Sequence, residues 1–522
     1  MLNLTESQES FSKQLPKNIT SNVVYFSLNI IIGLLLVPYF IDKLGISSYG
    51  LIPLAISMTN YINMVIQSFN YSISRYLTID LQRKDFEKAN ITFNTALFGI
   101  LSIILLMVPI ILLISYYAPL FFSIPTNQRS DAALFFFGIM SAFLVRMWGS
   151  SFGVSLFAYN RLDLQNIINI INLIVQVSFI IIFFSALSPK LSYIGISYLI
   201  GAIVAVAATI FFSKKINPHL SINAHYIRIS NLKMLSKTGG WITIDQIGTL
   251  LLFQLDLIFV NRFFGTAVGG GYSIVLTWNI LIRSISAMLA GFITPAIFTY
   301  YAKEMYDEIA VISKSAVKIM GLTLALPIGT ICGFSPLILS LWVGPEYVKL
   351  SPLMWILLIH LAVNMSVLPL FPINVAFNKV RIPAIITIIL GIVNLFLIIV
   401  LSTITELGYY GVAISGAIVL TFRHFLFVPY YTTKVLKLSK NPYFSSIVPG
   451  ALSTVIVAGI SSIIYNSLNI WDLGSFIIYC GLISIIYFQL IWKVYFNQLE
   501  CKTVETMIPS SFVKFTKLFN KS

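Results

Sequence analysis

Apolar runs of about 20 residues recur almost from one end of this chain to the other, and nothing else in it constrains the fold as tightly. At a helical rise of about 1.5 Å per residue, each run crosses a hydrocarbon layer about 30 Å thick. Inside lipid a backbone must satisfy its own hydrogen bonds, which leaves α-helices and closed barrels. Barrel strands are short and alternate apolar with polar residues, and these runs are too long and too uniform for that. The chain is therefore expected to be an all-α polytopic membrane protein. Only 10% of its 522 residues are charged, whereas a soluble domain carries about a quarter.

Fourteen spans can be laid out, near residues 18–41, 49–72, 91–117, 132–157, 167–187, 191–212, 241–263, 269–295, 316–341, 352–375, 384–404, 409–431, 447–466 and 472–494. The expected organisation is a six-helix lobe over 1–212, a basic linker over 213–240 and a second six-helix lobe over 241–431. Two further spans and a basic tail fill 432–522.

A net charge of +15 would suit a nucleic-acid partner, but its placement speaks against one. With the N-terminus inside, the inner segments hold about 25 of the 33 Lys/Arg, among them Arg83, Lys84, Lys214, Lys215, Lys434 and Lys437. The outer turns hold about five, namely Lys43, Arg129, Lys190, Arg262 and Lys349. This asymmetry predicts an even number of spans, both termini cytoplasmic, in a cell membrane. The connection 213–237 carries five Lys/Arg and no acid, and either simply obeys the insertion rule or rests on anionic lipid. The polar N-terminus, MLNLTESQESFSKQLPKN, is not a cleavable signal peptide, because its apolar run comes late and continues as a full span. Cys332, Cys480 and Cys501 show neither metal spacing nor a disulfide framework.

The halves echo each other at an offset of about 218–220 residues. AYNRL at 158–162 matches AFNKV at 376–380, Pro109 matches Pro327, and Ala118-Pro119-Leu120 matches Ser335-Pro336-Leu337. The turn FIDKLGISSYG likewise resembles VNRFFGTAVGGGYS. Corresponding spans lie an even number apart and so run the same way through the membrane, a parallel repeat that would set two lobes around a central cavity. The last two spans fall outside the repeat.

Charges left inside spans are the candidate site. The seventh span, within Gly239–Phe264, carries Asp245 and Asp256, about three helical turns apart and hence on nearly one face. A carboxylate at this depth either binds Na⁺ or a proton and biases which side opens, or forms a salt bridge that fixes packing. Arg146, Arg283 and Arg423 each lie about 14 residues into an even-numbered span, about 21 Å down at helical rise. A guanidinium stays charged and offers a planar fork suited to phosphate, so a phosphate-bearing substrate held midway across is one reading. The other is structural, with Arg423 also able to snorkel towards the inner face. His360, Asn364 and Asn394 read first as hydrogen-bonded packing groups. No nucleotide-binding loop and no catalytic constellation is present, so neither ATP hydrolysis nor enzymatic activity is expected, and no cofactor beyond a coupling Na⁺ or H⁺.

The opening span–turn–span with LGISSYG, the segment DLIFVNRFFGTAVGGGYS and the connection AYNRLDLQN resemble the Wzx-type oligosaccharide flippases. Those belong to the MOP superfamily, together with MATE multidrug transporters and the lipid II flippase. The resemblance covers essentially the whole chain. It implies two six-helix lobes around a cationic cavity, alternating access, and a polyprenyl-(pyro)phosphate-linked oligosaccharide moved from the inner to the outer leaflet. Membrane lipids, a glycan polymerase and glycosyltransferases of the same pathway are the partners it implies. Asp256 matches the acidic position of the seventh span in such proteins, and Arg146 and Arg283 match a cationic cavity by type and depth. Fourteen spans exceed the usual twelve; the lipid II flippase also has two extra C-terminal spans, which form a lipid groove. An ion-coupled MATE-like drug exporter and the lipid II flippase itself are the alternative readings, and a non-transporting scaffold is a third.

Overall fold

In this computed structural model the described residues are 2–228, 240–440, 442–468 and 472–495, with side chains from Gln14 onward except 15, 61–72, 75, 82 and 240–246. Among them the regular elements are helices, and two compact units divide at Gly270/Gly271, within the glycine run that follows the seventh span.

The first unit holds α1 (Leu2–Leu44), α2 (Ile46–Gln82), α3 (Phe86–Phe121), α4 (Arg129–Ala158), α5 (Leu162–Ala186), α6 (Leu191–Ile216), α7 (Gly240–Phe253) and α8 (Leu255–Phe264). The second takes most of α9 (Thr266–Gly291), then α10 (Thr294–Ala302), α11 (Tyr306–Gly333), α12 (Ser335–Trp342), α13 (Ser351–Ile359), α14 (Leu361–Ser366), α15 (Phe371–Ala376) and α16 (Arg381–Ile399). It closes with α17 (Tyr409–Thr421), α18 (Val428–Val435), α19 (Phe444–Leu468) and α20 (Leu473–Leu490).

Twelve helical segments of the described residues are long and apolar enough to cross a membrane, thirteen if the pair Ile247–Phe253 and Leu255–Phe264, bent by 42°, is one span. Helix α2 is not in that count; it includes the undescribed side chains 61–72. The expected fourteen is thus not reached among the described residues. Several helices also run past the apolar windows read from sequence, such as α3 over 86–121 rather than 91–117, because their polar ends are helical too.

Turn chemistry sets where the helices stop. Chain reversals use left-handed residues, and these recur between the halves. Gly45 (φ 77°) and Gly265 (φ 86°), Lys84 (57°) and Glu304 (58°), and Asn160 (55°) and Asn378 (53°) pair at separations of 218 to 220 residues. The bonding repeats as well. Arg161 N–H reaches back to Leu156 O at 2.8 Å and Lys379 N–H to Asn374 O at 2.7 Å, each closing a helix with a Schellman motif. The AYNRL and AFNKV matches are therefore a shared helix end, with asparagine at the position that disfavours other side chains. Asp85 then starts α3 by accepting from the Lys88 N–H at 3.1 Å. Side-chain and backbone bonds from Lys88 hold the Asp85 carboxyl below its usual range.

In the first unit α4 is central, packed on α2, α3 and α6. A Cβ on Gly138 would sit 2.6 Å from the backbone of Gly195, so α4 and α6 approach as only small residues allow. In the second unit the same device joins α11 to α19, where a Cβ on Gly450 would fall 2.7 Å from Gly321 backbone. The thirteenth span is accordingly built into the unit rather than appended to it. Helix α20 also crosses α11, with Tyr487 Oη donating to Leu322 O at 2.7 Å.

The basic linker has an ordered beginning. Asn90 on α3 donates to His219 O at 2.9 Å and accepts from Ser221 N–H at 2.9 Å. Asn94, one helical turn on, donates to Ser221 O and accepts from Asn223 N–H, both at 2.8 Å. Thr95 accepts from Arg228 N–H at 3.1 Å, and the His219 ring lies 4.4 Å from that of Phe86. Four helical residues advance about 6.0 Å and two extended ones about 6.6 Å, so two amides on a helix can imitate a neighbouring strand. Lys214, Lys215 and Arg228 stay exposed.

Replacing both asparagines (Asn90→Ala with Asn94→Ala) should release this strap. Hydrogen exchange at Ser221 and Asn223 is expected to speed up by about a hundred- to a thousandfold, from the loss of four bonds worth about 1 kcal/mol each. Unchanged protection would mean that something else holds the segment.

Candidate functional site

Arg146 sits half-buried on α4, and its fork is held by α5. Nη2 donates to Asn169 Oδ1 at 2.8 Å. With the Asn172 amide turned so that both its ends are satisfied, Nη1 donates to its oxygen at 2.9 Å. Tyr25 of α1 is near enough to act on the guanidinium electrostatically. Asn169 and Asn172 are three residues apart and so share a helix face. Both are neutral, which orients the cation without cancelling its charge. The sequence reading passed over them, yet a signal was there: Asn166, Asn169, Asn172 and Gln176 form a polar stripe on an otherwise apolar helix.

The AYNRLDLQN motif turns out to be a latch on α1, where its apolar span begins. Arg161 clasps Asp163 through two bonds of 2.9 and 3.0 Å, and Gln14 donates to the same carboxylate at 2.8 Å. Asn18 donates to Asn160 O at 2.9 Å and accepts from the Asp163 N–H at 3.0 Å. Bonding to the Asp163 carboxylate keeps the Arg161 guanidinium more firmly protonated than usual.

The second unit gathers four ionisable groups. Arg283 projects from α9, His360 lies at the break between α13 and α14, and Arg423 and His424 lie in a π-helical turn, Phe422–Phe427, between α17 and α18. Arg423 is only 6% exposed. Its Nη2 donates to Thr387 Oγ1 at 2.8 Å, and its guanidinium carbon stands 5.6 Å from the Phe371 ring centre. The His424 Nδ1–H donates to Leu420 O at 2.8 Å, and the Asn364 amide donates to His360 Nδ1 at 2.7 Å. Arg283 is close enough to act electrostatically on both imidazoles, and Arg423 acts on His424. Two of the three arginines singled out from sequence are thus brought together, in company with His360 and His424. Arg146 stands in the other unit with partners of its own.

Prolines explain why these spans are irregular there. Pro369 and Pro372 lack the N–H a helix needs, and the chain passes through a short 3₁₀ turn at Leu368–Leu370. Pro429 follows the π-helical turn, and its ring cannot sit under the carbonyl of Phe425, so the preceding turn widens.

Asp256 lies in the first turn of α8, directly after the bend at Gln254, half-buried and where the helix N-terminus favours a carboxylate. Asp245 belongs to α7, and its side chain lies outside the described residues.

Solved structures share this fold. An inward-facing multidrug resistance MATE family transporter of the MOP superfamily aligns with TM-score 0.62 at 15% identity, over 78% of this chain and 95% of that one. The lipid II flippase MurJ, in an inward closed conformation, aligns with TM-score 0.58 at 15% identity, over 86% of this chain and 99% of that one. The chain is thus a multi-pass membrane protein that shares its helical fold with these transporters. Residues 15–301 match the family described as polysaccharide biosynthesis protein, and the chain belongs to that family. It is also 28% identical over 441 residues to the uncharacterized membrane protein EpsK of Bacillus subtilis (strain 168), covering 84% of this chain and 87% of that protein.

The Arg146 geometry predicts an order of stabilities. Asn169→Leu together with Asn172→Leu strands a half-buried cation and should cost about 1–3 kcal/mol in detergent unfolding. Arg146→Leu removes the charge along with its need for partners and should cost less. The reverse order would show that the asparagines are not what holds the guanidinium.

Proposed function

We propose that the protein flips a polyprenyl-(pyro)phosphate-linked oligosaccharide from the inner to the outer leaflet of the cell membrane by alternating access. Both termini are then cytoplasmic, and the glycosyltransferases and polymerase of a surface glycan act before and after it. One observation carries the reading: Arg283, His360, Arg423 and His424 come near one another in the second unit, the last three where their helices are interrupted. Ionisable groups at this depth are costly and usually line a substrate or ion path. The two guanidiniums of that group suit a phosphate-bearing headgroup, whereas a cationic drug would be met by carboxylates. Arg146, aimed by neutral amides, supplies a second cation by the same logic. Membership of a polysaccharide biosynthesis family, and a fold shared with a flippase of lipid II, support a lipid-borne glycan as the cargo.

Interrupted helices in transporters often mark binding sites, and the bend ahead of Asp256 is one such place. In this reading Asp256 takes up Na⁺ or a proton and biases the seventh span between its conformations, with Asp245 as the second coupling candidate.

Proteoliposomes loaded with a fluorescent polyprenyl-pyrophosphate sugar, read with a membrane-impermeant quencher, test the proposal. Flipping should fall about ten- to a hundredfold in Arg283→Gln and in Arg423→Gln, the loss expected for a charged hydrogen bond. Asp256→Asn should leave downhill flipping in place and abolish its response to a Na⁺ or proton gradient. Uptake of a cationic dye in the absence of lipid flipping would replace this reading with drug export.

A further inference from the structure

At the end of the first unit where α1 meets α2, α3 meets α4 and α5 meets α6, the three connections line an open cleft of about 440 Å³. The strap on α3 and the Arg161–Asp163 latch belong to the opposite connections, so this is the outer end in the proposed orientation. The volume falls in the lower part of the range of small-molecule sites, about 300–1,000 Å³, and accommodates one or two sugar rings. Its lining is polar for the end of a membrane helix bundle: Lys43, Lys190, Asn127, Gln128, Ser192 and Tyr193 contribute amides, hydroxyls and two ammonium groups.

The lysines are the informative part. Insertion disfavours cations on the outer side, and only about five of the chain's Lys/Arg are expected there. Two of those five, Lys43 and Lys190, border this one cavity. Lys43 has Asp42 at 3.0 Å, but both side chains are exposed, and such a pair holds its cation weakly enough for a ligand anion to share it. Asp131 is the acid in the lining, and both its oxygens are engaged: they accept from the Leu191 and Ser192 N–H groups at 3.0 and 3.1 Å. There its charge faces the positive end of α6, which leaves the lysines to set the sign of the site. The same two bonds tie α4 to α6 and keep the wall of the cavity in place.

We infer that this cavity is a seat for an acidic sugar, a ring carrying a carboxylate or phosphate, bound through Lys43 and Lys190 with the amides and hydroxyls reading its hydroxyl groups. The assignment rests on the proposed transport of a glycan and adds to it a glycan class and a station at the exit side. The lipid-borne phosphate belongs to the arginine and histidine sites; the sugar end belongs here.

Isothermal titration of the full-length protein in nanodiscs, with cellobiouronate and its neutral counterpart cellobiose, tests this directly. Cellobiouronate should bind more tightly than cellobiose, and Lys43→Gln and Lys190→Gln should each weaken it about five- to tenfold, while Lys349→Gln leaves it unchanged. Equal binding of the two sugars, binding indifferent to both lysines, or no binding would overturn the assignment. sn-Glycerol 1-phosphate binding as tightly as cellobiouronate would make the cavity a phospholipid headgroup site instead. Lipid-linked sugar flipping on the same preparations separates the two readings. Flipping without cellobiouronate binding removes this site and leaves transport standing, and binding without flipping does the reverse.

Discussion

A peptide group in hydrocarbon has no water to fall back on, and much else in this protein follows from that. The chain answers it with long helices, so any place where a helix is interrupted inside the membrane must be held by something else. The described residues contain a bend at Gln254, a break at His360, a 3₁₀ turn at Leu368–Leu370 and a π-helical turn at Phe422–Phe427. Each lies beside an ionisable group: Asp256 next to the first, His360 at the second with the 3₁₀ turn soon after it, Arg423 and His424 in the last.

The two units treat buried cations differently. In the first, Arg146 is gripped by two carboxamides that fix its plane and leave its charge intact. In the second, Arg423 is braced by a hydroxyl and an aromatic face, while two imidazoles share the neighbourhood with it and with Arg283.

Much of the architecture was legible in the chain. Apolar run length gave the helical class, and the repeat was visible at turns because turns depend on a few residue types: Gly45 and Gly265, Asn160 and Asn378. Arg283 and Arg423 stood out because charge in an apolar run is conspicuous. Less legible was anything that depends on which way a helix faces. That His360 sits beside Arg283 is a matter of tertiary packing, which no spacing within one span encodes. The stripe of asparagines on α5 was periodic enough to be read, but amides are so often mere interhelical contacts that nothing marked it out. The π-helical turn ahead of Pro429 was hidden for another reason: proline announces a disturbed turn without saying whether it will kink, break or widen.

The strap on α3 recognises main chain rather than side chains. Asn90 and Asn94 read a carbonyl and an amide hydrogen at His219, Ser221 and Asn223, much as one strand reads another. Docking of that kind is almost indifferent to sequence: at 221 and 223 it forbids proline and little else. Apart from His219, whose ring lies on Phe86, the strapped residues are therefore free to vary their side chains, their charge included, without losing their place on the first unit. The positions that must stay constant for the linker to dock lie on the helix and not in the linker itself.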